Sequence, residues 1–263
     1  PKRMCDITPK DVVDWQNRMV GSYDDEGKPY SGTYLRTINN QLSAIFNHAV
    51  KYYGLGKSPA TPTIKIGERK GAEMRFWTKE QYLAFSEEVM DKPASFYAFE
   101  ILYWCGLRVG ELLALEPNDI DLGKCLIHVT KSYQRIRRRD VITSPKTPKS
   151  KRDVVMPEFL ADELADFLGS IPEERRACRI FCFTKSYLHH EMKRGCAACG
   201  LEPIRIHDLR HSHVSLLIEM GFSAIAIADR LGHETYEMTL RYAHLFPSKQ
   251  SDMAAALDQG RRP

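Results

Sequence analysis

Three short clusters carry the side chains best suited to chemistry: Gly106-Leu107-Arg108-Val109-Gly110-Glu111, His207-Asp208-Leu209-Arg210-His211, and Leu231-Gly232-His233 with Tyr242 nine positions beyond that histidine. Singly each is weak, since an arginine at a helix start usually lies on the surface and a lone histidine is usually structural. Together, two arginines, two histidines and a lysine from a basic hairpin, with no obvious carboxylate pair or metal cage, describe a site that holds a phosphate. Guanidinium forks match phosphoryl oxygens two at a time and stay charged at any working pH. Nine Lys or Arg and a single acid, Asp140, fall between Lys131 and Arg152, which concentrates +8 in one stretch of a chain whose net charge is only +4. A field of that sign attracts a polyanion such as nucleic acid, although a solvated charged face is the commoner meaning of a basic run.

The elements that must position these residues follow from periodicity and breakers. A chain of 263 residues, 43% hydrophobic and 27% charged, has the composition of an ordinary globular protein and the length of about one and a half to two domains. No apolar run approaches a membrane span and the start lacks a signal region, so neither secretion nor membrane insertion is expected. Seven cysteines, an odd number scattered along the chain, suit reduced thiols in a cytoplasm. Pro1 in place of a methionine reads as a chain whose upstream part is missing. Residues 1–63 hold a short helix capped by Thr8 and a longer one from about Ser31 to Tyr53. In the longer helix Tyr34, Ile38, Leu42, Ile45, Phe46, Ala49 and Tyr53 form the predicted packing face, with Asn39 among the polar residues elsewhere. Residues 64–75, dense in Gly and basic side chains, read as a linker. From 76 to 263 a capping box of Thr78 with Gln81 opens a helix through Met90, and a second helix spans Ala94 to Cys105. β-rich runs around Leu126–Val129, Val141–Ile142 and Val154–Met156 predict a small antiparallel meander, followed by a helix with Phe159, Leu160, Leu164, Phe167 and Leu168 on one face and helices over 184–199, 208–220, 223–231 and 235–245. The expected class is mainly α with a small antiparallel β-sheet (α+β).

With these clusters in this order, the chain resembles the tyrosine recombinase (phage integrase) family from about residue 6 to 257. Gly106-Leu107-Arg108 with Glu111 is similar to its first arginine motif, Pro145-Lys146-Thr147 to its hairpin lysine motif, His207-Asp208-Leu209-Arg210-His211 to its second motif, and Leu231-Gly232-His233 with Arg241-Tyr242 to its terminal motif. The resemblance implies a helical core-binding domain in the first block and a catalytic domain in the second, closing as a clamp on duplex DNA. The departure is at the beginning, where the family usually has helices before the one at Thr8. Tyr242 would attack a phosphodiester to give a 3′-phosphotyrosine and a free 5′-hydroxyl, with no cofactor or metal. Arg108 and Arg210 would clamp the non-bridging oxygens, Lys146 would protonate the leaving oxygen, His207 would help take the proton from Tyr242, and His233 would hydrogen-bond the phosphate. Glu111 would support an arginine. Lys149 or Lys151 stand as alternatives to Lys146. Lys131, Arg135, Arg137, Arg138, Arg139, Lys149, Lys151, Arg152, Lys65, Arg69 and Lys70 are the expected DNA contacts. The apolar tail Met253-Ala254-Ala255-Ala256-Leu257 would dock on a neighbouring subunit, giving a homo-tetramer on DNA recombination sites, with an accessory excision factor as a further partner. Pro145-Lys146-Thr147 and the segment from Ala44 to Val50 look more like integrases of phages and conjugative transposons than like Xer resolvases.

Competing readings are weaker. A zinc hydrolase built on His207, His211 and His213 lacks a His-Glu-x-x-His pattern and would set Arg210 beside the metal. Structural zinc at Cys178, Cys182, Cys196 and Cys199 is disfavoured because Cys182 falls in an apolar, strand-like run and the last pair at a helix end. A non-catalytic DNA-binding module has no need of Tyr242 in register with His233. A type IB topoisomerase would share the chemistry but swivel a single duplex instead of exchanging strands.

Overall fold

The computed structural model describes residues 2–68, 74–145, 147–175, 178–235, 237–240 and 242. The chain divides into two compact units, Pro1–Glu73 and Met74–Pro263.

In the first unit, α1 (Pro9–Val20) starts at a capping box in which the Thr8 side chain accepts from the Asp11 N–H and the Asp11 carboxylate accepts from the Thr8 N–H. α2 (Gly32–Tyr52) starts at Ser31, whose hydroxyl accepts from the Tyr34 N–H. Its inward stripe differs from the predicted one. Leu35, Asn39, Phe46 and Ala49 are buried, while Tyr34, Ile45 and Tyr53 are exposed. The buried positions, with Leu42 between them, step by four and three residues and follow α1, on which α2 packs. Asn39 is accommodated because Gln16 of α1 donates to its carbonyl oxygen at 2.7 Å and to the Ile64 carbonyl at 2.8 Å, so no buried amide of this pair goes unpaired on that side. Ile45, His48, Ala49 and Tyr53 instead line an apolar groove with Met4.

The second unit contains α3 (Lys79–Glu87), α4 (Pro93–Trp104) and α5 (Val109–Leu112), then strands, then α6 (Glu158–Gly169), α7 (Lys185–Cys199), α8 (Asp208–Glu219), α9 (Ala224–Leu231) and α10 (Glu237–Leu240). The Thr78–Gln81 capping box is present at the start of α3. α4 is buried along most of its length, through Ala98, Phe99, Ile101, Leu102 and Tyr103, and is the central rod of the core. The predicted meander is split. β1 (Ile120–Asp121), β2 (Leu126–Val129) and β5 (Arg152–Val155) form one antiparallel sheet in the order β1-β2-β5, and β3 (Ser132–Ile136) and β4 (Arg139–Thr143) form a separate hairpin. The core explains the split: Ile127, Val129 and Val154 are fully buried, whereas beyond Tyr133 the hairpin is almost all exposed. Cys182 lies in an irregular, exposed segment and not in a strand. Among the described residues, no helix is long and apolar enough to cross a membrane.

Candidate active site

The site is assembled in the second unit from the ends of four helices. Two residues beyond α4 stands Gly106, whose φ of +65° lies in the left-handed region; a Cβ there would stand 2.5 Å from the His213 ring and 2.9 Å from Leu231. That turn delivers Arg108 to the start of α5 and exposes the Gly106 carbonyl to α8. Arg210, on the first turn of α8 and only 4% exposed, donates one nitrogen to Gly106 O and another to Leu231 O, both at 2.6 Å. Burial, then the neighbouring Arg108 charge, pulls the Arg210 guanidinium down to about 9, so it remains a cation at neutral pH.

Glu111 organises the rest. Its carboxylate accepts from the Arg108 N–H at 2.9 Å and from Arg108 Nη1 at 2.8 Å, and from Arg152 Nη2 at 3.0 Å. Burial alone would raise this carboxyl, but Arg152 and Arg108 together hold it below the usual range. Arg152 also donates to Arg230 O at 2.9 Å and to Ser150 O at 3.2 Å, which ties β5 to the end of α9. Its side chain is 7% exposed. Arg152, expected from the basic run as a DNA contact, is a guanidinium with a buried carboxylate and two carbonyls as partners inside the protein.

α9 ends at Gly232, with φ +62°, where a Cβ would meet Lys149 O at 2.7 Å and Arg152 Cδ at 2.9 Å. His233 follows, buried, with Nδ1 2.8 Å from the Thr239 hydroxyl. Burial, then Arg210, Arg108 and Arg152, push its imidazole down to about 3, so it is neutral at pH 7. His207, at the start of α8, has an exposed edge; loss of water around the rest of its ring, then His211 and Arg210, lowers it to about 4. The His207 and His211 rings stand 5.2 Å apart, nearly perpendicular.

Tyr242 is 4% exposed and packs with Val214, Ile218, Ile227 and Leu231 in a small cluster between α8 and α9. Its N–H donates to Thr239 O at 3.0 Å, and its hydroxyl is hydrogen-bonded to His211 Nδ1. Sequence reasoning gave the role beside this hydroxyl to His207; the structure places His211 against it. The signal for His211 was its position directly after Arg210, one turn beyond His207.

Arg108, whose side chain is 32% exposed, and Glu111 line a cleft of about 510 Å³ whose other wall includes Ser132, Thr143, Thr147 and Gly232. Lys146, Arg69 and Lys70 lie outside the described residues, as do Arg241 and the tail 243–263. Lys149 and Lys151 are exposed in and after a short turn, and Lys65 is exposed in the first unit. Lys131 bridges Glu116 at 2.7 Å and Asp119 at 2.9 Å, and Arg135 lies 3.6 Å from Asp140, so both charges are partly neutralised locally. Arg137, Arg138 and Arg139 are exposed at the hairpin turn. His213 points elsewhere: its Nε2 accepts from Arg230 Nε at 3.1 Å in the interior. Among the described residues, no three His, Cys, Asp or Glu side chains are grouped to hold a metal ion.

A helical unit with a small antiparallel sheet that gathers two arginines, two histidines and a buried tyrosine has the form of a tyrosine recombinase catalytic domain. The chain belongs to the phage integrase family, whose model matches residues 75–249, and this is a family of site-specific DNA recombinases. It is 32% identical to the ICEBs1 integrase of Bacillus subtilis over 96% of this chain and 71% of that one. It is 27% identical to the integrase of Mycobacterium phage L5 over 86% of this chain and 63% of that one. The fold is similar to that of the Tn1549 transposon integrase in complex with a circular intermediate DNA, at TM-score 0.77 and 19% identity over 98% of this chain and 87% of that one. It is also similar to a lambda integrase dimer bound to a core site, at TM-score 0.62 and 22% identity over 90% of this chain and 64% of that one.

Proposed function

We propose that the chain cleaves and rejoins DNA strands at the ends of a mobile element, integrating or excising it, with Tyr242 as the nucleophile. The observation that carries this reading is that the Tyr242 hydroxyl is hydrogen-bonded to His211, the residue that follows the buried Arg210 on α8. This contact brings a nucleophile from beyond α10 against the helix that carries a phosphate clamp. Arg108 and Arg210 neutralise the charge that grows on the non-bridging oxygens, and Lys146 protonates the departing 5′-oxygen. A Thr239 hydroxyl that donates to His233 Nδ1 leaves the Nε2–H of this neutral ring to donate to a phosphate oxygen. His207, also neutral, stands at the exposed edge of the same cluster, able to pass a proton to solvent. The energy of the broken phosphodiester is kept in the 3′-phosphotyrosine, so the reaction needs neither ATP nor a metal.

The partner in this reading is duplex DNA, and the relatives solved with DNA support it. Arg137, Arg138, Arg139, Lys149, Lys151 and Lys65, all exposed, are the phosphate contacts in this reading. Assembly is as a tetramer on DNA through the tail around Met253–Leu257, with an accessory factor for excision, in the cytoplasm. A covalent-trap assay tests the chemistry: the protein is incubated in EDTA with labelled, nicked duplexes from a library that includes the joined ends of the parent element, then denatured in SDS. A protein-linked strand that is lost in Tyr242→Phe is expected. A linked strand that survives Tyr242→Phe, or none at all from the wild type, overturns the reading.

A further inference from the structure

We infer that Arg179 is a positioning residue for cleavage: from behind the β3–β4 hairpin it fixes the wall of the cleft that faces Arg108 and leads into the lysine segment. The inference rests on the cleavage reading above and adds the side chain that holds this wall in register with α5.

The hairpin has two faces, because side chains alternate along a strand and residues opposite each other on paired strands share a side. Ser132 pairs with Thr143, and Arg135 with Asp140. Ser132, Gln134 and Thr143 therefore share one face, and all three line the cleft with Arg108 and Glu111. Tyr133, Arg135 and Asp140 share the other. On that side the Tyr133 hydroxyl donates to Asp140 Oδ1 at 2.8 Å, and Arg135 Nε lies 3.6 Å from the same oxygen. The Arg179 guanidinium lies over the Tyr133 ring, 4.2 Å from its centre, and its Nη2 donates to Asp140 Oδ2 at 3.2 Å.

The other end of this clamp is in the core. Arg179 Nη1 donates to the carbonyl of Leu113, which caps the C-terminus of α5, at 2.8 Å, and to that of Phe181 at 3.1 Å. The next residue, Ile180, donates its N–H to Leu115 O at 2.8 Å, and Phe181 is fully buried. One guanidinium thus ties β4 to the helix that carries Arg108 at its start. At the base of the hairpin α5 comes so near that a Cβ on Gly110 would stand 2.7 Å from Ser132 Oγ and 3.0 Å from Tyr133 O. Contact at residues 132 and 133 alone would let a two-stranded ribbon with few buried side chains pivot about that line. The hold at Asp140, off the line, stops the rotation. β4 runs on to Pro145 and Thr147, which line the same cleft, with Lys146 between them in the chain. The posture of the hairpin therefore sets where the proton donor for the departing 5′-oxygen starts its reach, and a misplacement of about 1 Å in such a group costs up to about 10²-fold in rate.

The test is single-turnover cleavage, at saturating protein, of the duplex trapped above. Arg179→Lys keeps the charge but loses the planar fork that serves Leu113, Phe181 and Asp140 together and stacks on the ring. Asp140→Asn keeps the shape of the partner on β4 and removes its charge. Both are expected to form covalent complex more slowly, Arg179→Lys by about 10- to 10²-fold and Asp140→Asn by less, with a final yield equal to that of wild type. A substrate with sulfur in place of the bridging 5′-oxygen reads the route, because a thiol of pKa about 8.5 leaves without being protonated. On it both variants, like Lys146→Ala, are expected to recover to within about two-fold of wild type. A clamp that served stability alone would lower the yield of active protein and leave the rate constant of the folded fraction unchanged; that result for Arg179→Lys overturns the inference. So does a slow rate that persists on the sulfur substrate, because the defect would then lie away from the leaving group. If Arg179→Lys does not fold, Asp140→Asn decides by the same two readings. Covalent product from Tyr242→Phe would defeat the cleavage reading, and the inference with it, whatever the clamp variants do.

Discussion

At the scale of single residues, the site depends on charges that the interior holds in pairs. Glu111 is 3% exposed between two guanidiniums, Arg108 and Arg152. Arg108 keeps part of its surface for the cleft, so Arg152 is the partner committed to the interior. Removing one member of a buried pair leaves the other uncompensated, at a cost of about 3–5 kcal/mol. Arg152→Met is therefore expected to destabilise the second unit by about that amount in urea unfolding, and Glu111→Gln added to it should restore part of the loss. A double variant no more stable than Arg152→Met would show that the carboxylate is not what the arginine serves. Arg152 also illustrates the limit of reading charge along a chain: nine basic residues look alike in sequence, yet this one is internal and Lys131 is bridged to two carboxylates.

At the scale of elements, the β3–β4 hairpin combines strain with charge. Ser132 pairs with Thr143 and Ile136 with Arg139, which leaves Arg137 and Arg138 as a two-residue turn. Their φ values are 49° and 66°, both in the left-handed region that Asn-Gly fills best in such a turn. An ordinary L-residue there costs roughly 1–2 kcal/mol. Strain kept at an exposed turn made of two arginines is consistent with selection for their charge over stability. The double variant Arg137→Asn, Arg138→Gly is expected to raise the thermal stability of the second unit by about 1–2 kcal/mol and to weaken DNA binding. The slope of log affinity against log salt should fall by up to about two phosphate contacts. An unchanged slope would remove these arginines from the DNA interface.

At the scale of the whole second unit, titration of the interior sets the acid limit of stability. His213 and His233 are both pushed to about 3 from 6.5, chiefly by burial and then by nearby arginines. Their depressed values mean that the unfolded chain takes up protons below pH 6.5 that the fold refuses, so stability is lost as pH falls. Glu100 acts in the opposite direction: burial raises it from 4.5 to about 7 against a 2.6 Å hydrogen bond from Tyr82, so the fold binds a proton there before the unfolded chain does. Between pH 6.5 and 4.5 these two histidines and His207, lowered to about 4, oppose one carboxyl, a net uptake of about two protons by the unfolded state, and stability should fall by about 2.7 kcal/mol per pH unit. Below 4.5 the carboxyl no longer offsets them and the decline steepens. Urea midpoints measured from pH 7 to 4 check this, and Glu100→Gln should make the upper part of the decline steeper; a flat profile over that range would contradict it.

The family and the order of the elements were legible in the sequence because both depend on local rules. Thr8, Ser31 and Thr78 announce helix starts through bonds that close within three residues, and Gly106 and Gly232 mark the turns that only glycine makes easily. The family pattern of Arg108, His207, Arg210, His233 and Tyr242 is likewise a matter of residue type and spacing. What needed the tertiary structure was every choice made between segments distant in sequence. The inward face of α2 turned on where α1 lies, the split of the sheet on which strands the core covers, and the burial of Arg152 on a carboxylate 41 residues away. The approach of His211, instead of His207, to a tyrosine 31 residues further on belongs with these. Neighbouring histidines on one helix are equivalent to a reader of spacing; the packing of Tyr242 against Val214, Ile227 and Leu231 determines which of them meets its hydroxyl.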